Sequence, residues 1–266
     1  VWVQCVFHLI PTPARRKGPR LTNAVSFLAQ RASLFLARAL ADLVIVDNNL
    51  LKKRLIERGF REEKLFVTAM GAGSAGGARP AGGKKRRFDA CFLGRLHPSK
   101  GIFDLVSIWE KVNARLPGAR LAVVGTGPEE DALKRLVREK GLDPLIRLTG
   151  FLPPQELEDV FASSGVFIFP SHEEGFGISL LEGMARGLPA VAYELPHYRE
   201  IFGGAPVLIQ EGDTDLFARE VVRLLQDREY REGKARQSRE AAERYSWEEV
   251  ARMEADRVSA ALEDRI

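Results

Sequence analysis

The sequence predicts an α/β protein of two consecutive parallel-sheet units, the second a complete doubly wound domain and the first a partial one. Three observations carry this. Short runs rich in Val, Ile, Phe and Leu alternate with helix-permissive stretches along the chain, the pattern of βαβ repeats. The strand runs stay apolar instead of alternating with polar residues, as strands covered by helices on both faces require. A glycine-rich stretch at 71–83, with six glycines and a proline, interrupts the alternation, which restarts beyond it.

In order, the first unit reads strand 1–7, helix 23–41, strand 43–46, helix 49–58 and strand 65–69. The chain begins inside an apparent strand, so it is expected to be a fragment lacking its N-terminal part. After the linker come strand 88–93, helix 101–115, strand 120–124, helix 129–140, strand 146–149, helix 154–163, strand 166–169, helix 178–186 and strand 190–193. The run Val166-Phe167-Ile168-Phe169 ends at Pro170, as a buried parallel strand should. A helix at 215–225 and a charged helical region from 228 follow. Ser246-Trp247-Glu248-Glu249 has capping-box spacing, so a last helix starts there with Val250, Met253, Val258 and Ala261 on one side. The expected organisation is 1–70, a partial N-terminal domain; 71–87, a linker; 88–245, a complete domain; and 246–266, a helix packing back toward the first domain.

With 266 residues, 45% of them hydrophobic, the chain can bury a sizeable core. Cys5 and Cys91 lie in apolar strand contexts without metal-ligand spacing and read as buried free thiols of a reducing compartment. The most apolar long stretch, 32–46, is broken by Arg38 and Asp42 and falls short of a membrane span. The net charge is +4. Basic clusters at Arg15-Arg16-Lys17 with Arg20, and at Lys84-Lys85-Arg86-Arg87, read as solvated loop charge or as contact with anionic lipid. No aromatic residues interleave with them, so nucleic acid is not an expected partner.

The most informative stretch is Glu174-Gly175-Phe176-Gly177-Ile178-Ser179-Leu180-Leu181-Glu182. It places two carboxylates around a glycine-bearing turn between strand 166–169 and the following helix. Free N–H groups at a helix start favour a phosphate, and glycine lets it approach the backbone. Gly94-Arg95-Leu96 and Lys100-Gly101 follow strand 88–93, where a guanidinium and an ammonium can converge on a diphosphate. Taken alone, such loop cations are ordinary surface charges; beside the glycine turn they read as ligands. Gly125-Thr126-Gly127 resembles the start of a dinucleotide fingerprint, but the third glycine and the ribose carboxylate at the end of the next strand are missing. That disfavours a nicotinamide-dependent oxidoreductase and leaves a tight turn beside a cleft. Gly150-Phe151-Leu152-Pro153-Pro154 reads either as a loop whose backbone meets a nucleobase or as a plain loop.

Gly94-Arg95-Leu96 with Lys100-Gly101, then Pro170-Ser171 with Glu174-Gly175-Phe176-Gly177 and Glu182, then Gly187-Leu188-Pro189-Ala190-Val191, resemble the retaining GT-B glycosyltransferases of family 4, the "glycosyltransferase group 1" set. The resemblance spans about residues 88–212, extends weakly over the first unit, and implies a GT-B fold with Rossmann-like domains. It further implies that Gly94, Arg95 and Lys100 bind the donor diphosphate, that Glu182 accepts from the ribose hydroxyls, and that backbone near Phe151 contacts the base. Glu174 and the amides of Phe176 and Gly177 would hold the transferred sugar, and amides around Ile178, Ser179 and Leu180 would cap the phosphates. His8 reads as a structural residue or, by the resemblance, as a group facing the donor sugar. Pro196-His197-Tyr198-Arg199-Glu200 stands where the family has a glycine-rich turn.

The expected activity is transfer of a sugar from a nucleoside-diphosphate donor to an acceptor hydroxyl with retention, by a parent of which this fragment is inactive alone. The alternative is a non-catalytic sugar-nucleotide or polysaccharide-binding module. Neither metal nor other cofactor is expected. The acceptor would be a glycan, a lipid-linked molecule or a small molecule, and the setting cytoplasmic, with peripheral contact at the inner membrane face as a further expectation.

Overall fold

The computed structural model describes residues 3–6, 20–72 and 86–263. His8, Arg15 to Lys17, Lys84, Lys85 and most of the expected linker lie outside them. The chain divides into two compact units, one comprising residues 1–71 with 248–266 and the other residues 72–247.

In the first unit, β1 (Val3–Val6), β2 (Leu43–Val46) and β3 (Leu65–Val67) form a parallel sheet in that order, joined through α1 (Arg20–Leu40) and α2 (Asn49–Ile56). Every residue of β2 is buried, because it is the central strand. Ala37, Val44, Val46, Leu51, Leu55 and Leu65 pack into one apolar cluster. Asn48 starts α2 by accepting the Leu51 N–H at 2.7 Å, satisfying one of the first-turn donors. The last helix, α10 (Trp247–Glu263), begins at the capping-box position, and Arg257 donates to the Glu63 carbonyl at 3.0 Å.

The second unit holds β4 (Phe88–Leu93), β5 (Leu121–Val124), β6 (Ile146–Gly150), β7 (Ser164–Phe169), β8 (Ala190–Tyr193) and β9 (Val207–Ile209). Their connections are α3 (Ile102–Arg115), α4 (Glu130–Glu139), α5 (Pro154–Ala162), α6 (Ile178–Ala185) and α7 (Tyr198–Phe202), followed by α8 (Thr214–Gln226) and α9 (Arg228–Glu243). The sheet is parallel in the order β6-β5-β4-β7-β8-β9. The chain winds outward from β4 in one direction and from β7 in the other. The connections leaving these two neighbours diverge, which opens a crevice at their carboxyl ends. Packing is close on both faces: Trp109 of α3 is fully buried and donates to the Ala119 carbonyl at 3.1 Å. On α6, a Cβ added to Gly183 would lie 2.5 Å from the Phe167 ring, so only glycine allows this helix so near β7.

α7 and β9 have no counterpart among the elements expected from the sequence. Five-residue and three-residue elements leave too few periods to read.

Candidate active site at the strand ends

Leaving β4, the chain turns through Gly94 and Arg95, buries Leu96, and makes a short 3-10 turn, Pro98–Lys100. His97 holds that turn by accepting the Ser99 N–H at 3.2 Å. The neighbouring loop after β5 is stitched to it: the Gly94 N–H donates to the Val124 carbonyl at 3.0 Å and that of Leu96 to Thr126 at 2.9 Å. A Cβ on Gly125 would sit 2.0 Å from Gly94 O, and one on Gly127 would sit 2.3 Å from Leu96 O. The two glycines of the partial fingerprint thus serve loop-to-loop contact.

Across from these loops stands α6. It opens at Gly177, whose φ of +97° suits glycine, and it has no side-chain cap and no acidic residue in its first turn. Its first amides and the positive end of its dipole are left for a ligand. Ser179 and Glu182 of this helix line, with Gly94, Arg95, Thr126 and Pro128 among others, a cleft of about 720 Å3. Burial raises the Glu182 carboxyl above the usual carboxylate range, Arg186 acting against that and Glu158 with it. Arg186 is itself bound in two-pronged fashion by Glu158 and lies 4.7 Å from the Phe161 ring centroid. Its charge is therefore committed to Glu158, leaving the Glu182 carboxylate to accept from a ligand.

The structure brings Arg95, Ser179 and Glu182 into one cleft. Lys100 and Glu174 stand at the same strand ends but are bonded to each other, Nζ to Oε1 at 2.7 Å. Ser171 had been read only as part of a motif. Its hydroxyl lies 2.8 Å from that same carboxylate oxygen and 3.0 Å from the Ser99 carbonyl. The His172 N–H also donates to Ser99 O, at 2.9 Å, so the loops after β4 and β7 are locked together.

Phe176 and Leu180 are buried; Phe176 packs edge-on against Phe202 and Tyr245 at 5.8 and 5.5 Å. Only their backbone groups are available to a ligand, whereas the Ile178 side chain is partly exposed. Phe151 is 78% exposed and follows Gly150, whose carbonyl accepts the Gly125 N–H at 2.9 Å.

A second polar cluster had no sequence signal, because its members come from four separate elements. Tyr193 donates to Asp104 Oδ2 at 2.7 Å, and His172 stands 3.5 Å from Asp104 and 2.7 Å from Glu211. Burial, then the bond to Asp104, pushes the Tyr193 phenol far above its ordinary range. The Tyr198 hydroxyl is buried under Gly177, 2.9 Å from where a Cβ would be.

Comparison with known proteins adds to this geometry. Over 161 residues, 60% of this chain and 42% of the relative, the sequence is 29% identical to O-antigen chain mannosyltransferase B of Escherichia coli. Over 220 residues, 80% of this chain and 49% of the relative, it is 30% identical to 2-deoxystreptamine N-acetyl-D-glucosaminyltransferase of Streptomyces fradiae. The chain thus spans less than half the length of these relatives. The crystal structure of Anabaena HepE in complex with UDP and glucose superposes with a TM-score of 0.77 at 20% identity, covering 97% of this chain and 71% of HepE. Such likenesses show the fold of GT-B glycosyltransferases. Residues 78–244, well over half of the chain, match the family model "Glycosyl transferases group 1", and the chain belongs to that family.

Proposed function

We propose that this chain carries the donor half of a glycosyltransferase that moves a sugar from a nucleoside-diphosphate donor to an acceptor hydroxyl. The observation that carries the reading is the shared cleft of Arg95, Ser179 and Glu182, at the uncapped start of α6. A departing diphosphate gains negative charge, and fixed cations and amide dipoles stabilise it most where it develops. Arg95 supplies a planar fork for phosphate oxygens, the amides of Ile178, Ser179 and Leu180 supply dipoles, and Lys100 supplies a point charge from the adjoining loop. Glu182 accepts from the ribose hydroxyls, backbone near Phe151 meets the base, and Glu174 with the amides of Phe176 and Gly177 holds the sugar. HepE, solved with UDP and glucose, supports this class of donor.

Retention at the anomeric carbon is proposed from the family resemblance, as are His8 as a second group facing the donor sugar and inactivity of this chain by itself. The three sources of positive charge make a metal unnecessary in this reading, so EDTA should leave donor binding unchanged. The acceptor class is a glycan, a lipid-linked molecule or a small molecule, handled at the cytoplasmic face of a membrane. None of the described helices is long and apolar enough to cross a bilayer.

The test is a thermal-shift panel of UDP-, GDP- and ADP-sugars, followed by calorimetry with the best of them. Arg95→Ala should weaken the nucleoside diphosphate about tenfold while sparing the nucleoside, and Glu182→Ala should weaken both by a similar factor. Equal wild-type affinity for nucleoside and nucleoside diphosphate would remove the cationic assignment.

A further inference from the structure

We propose that Lys100 and Glu174 form an exchange pair, through which the site distinguishes a nucleoside diphosphate still carrying its sugar from one that has lost it. This rests on the donor-site reading above and deepens it. The two side chains are 24% and 11% exposed and their charged atoms lie 2.7 Å apart. The ammonium is thus already neutralised where water screens weakly. Arg95 contrasts with it, being exposed and forming no ion pair among the described residues.

A diphosphate entering beside Arg95 competes with Glu174 for Lys100. The backbone does not yield in this exchange, because Gly101 is pressed against Pro170 so closely that a Cβ would lie 1.7 Å from its carbonyl oxygen. Only the lysine side chain swings. As it turns toward phosphate, Glu174 keeps a largely buried charge and loses a donor. The Ser171 hydroxyl cannot fully replace that donor, since its single proton is shared between Glu174 Oε1 at 2.8 Å and Ser99 O at 3.0 Å. A carboxylate only accepts, so it needs an incoming O–H or N–H. A hydroxyl of the transferred sugar supplies one; a bare nucleoside diphosphate, whose ribose hydroxyls are taken by Glu182, has none to offer there. The pair therefore penalises the spent nucleotide relative to the intact donor and favours its departure after transfer.

Calorimetry with uridine, UDP and UDP-glucose, and with the guanosine and adenosine series in parallel, tests this on the chain and its variants. Glu174→Gln should tighten binding of the nucleoside diphosphate about fivefold to tenfold and collapse the advantage of the sugar-bearing form. Glu174→Asp, which draws the carboxylate back by one methylene and preserves its charge, should act in the same direction if the amide variant fails to fold. In a Lys100→Ala background neither change should tighten binding. Unchanged or weaker diphosphate binding in both Glu174 variants overturns the exchange. So does tightening that persists without Lys100, which marks plain repulsion. Wild-type protein that binds nucleoside and diphosphate equally refutes the donor site itself, a separate outcome.

Discussion

Replacing Gly101 by alanine tests the junction that sets the geometry of both loops. Gly101 has φ +65° and ψ +27°, and a left-handed backbone costs an L-residue about 1–2 kcal/mol. The added Cβ would also meet the Pro170 carbonyl oxygen at 1.7 Å, where ordinary contact begins at 3.4 Å, twice that distance. The loops must part, which endangers the bond from His172 N to Ser99 O, the Ser171 hydroxyl contacts and the Lys100 pair. At about 0.5–1.5 kcal/mol for each of the four hydrogen bonds, added to the backbone strain, the total expected loss is about 3–8 kcal/mol. Gly141 is the control, with the same φ of +65° and nothing within 4 Å of an added Cβ. Gly141→Ala should lose only about 1 kcal/mol. The unfolded-state effect of Gly→Ala is common to both variants and cancels. Urea unfolding followed by circular dichroism measures the two losses. Losses equal to within about 0.5 kcal/mol would mean that the junction yields, and the steric argument would be wrong.

Three other predictions concern buried polar groups. Tyr193→Phe removes the donor to Asp104 and should cost about 1–2 kcal/mol in urea unfolding, equally at pH 7 and pH 9, since the phenol stays protonated across that range; a cost that vanishes at pH 9 contradicts this. Asp47 is 3% exposed, and burial raises its carboxyl from an ordinary 3.8 to about 6. The folded state then holds the proton more tightly than the unfolded state, so stability falls as pH rises from the lower value through the higher. Between pH 5 and pH 7.5, Asp47→Asn should remove about 1.4 kcal/mol of that decline, read as hydrogen-exchange protection of β2. An unchanged pH slope argues against it. Cys91 is buried, and desolvation pushes its thiol up to about 12. Its peptide should escape iodoacetamide in the native protein and be labelled in urea; native labelling at the unfolded rate would contradict the burial.

Parallel strands covered on both faces write themselves as continuous apolar runs, so β2, β4 and β8 were legible to the residue. Motif spacing likewise pointed to Arg95 at a strand end and Glu182 in the helix after the glycine turn, and the family resemblance to Ser179 at that helix start. The structure adds that these three line one cleft. Ser171 was visible only as a motif member, while the Asp104, His172, Tyr193 and Glu211 cluster and Tyr198 beneath Gly177 had no such signal, because their partners are distant in sequence.

Composition and periodicity by themselves determined the α/β class, the order of alternation and the residues offered at each strand end, because backbone hydrogen bonding and burial act locally and repeat along the chain. Tertiary structure alone decided that β4 lies beside β7, which brings loops more than seventy residues apart into register. It also decided that Lys100 is held by Glu174 while Arg95 stands exposed. Charges and hydrogen-bond donors choose partners by distance in space, and no local pattern encodes that distance.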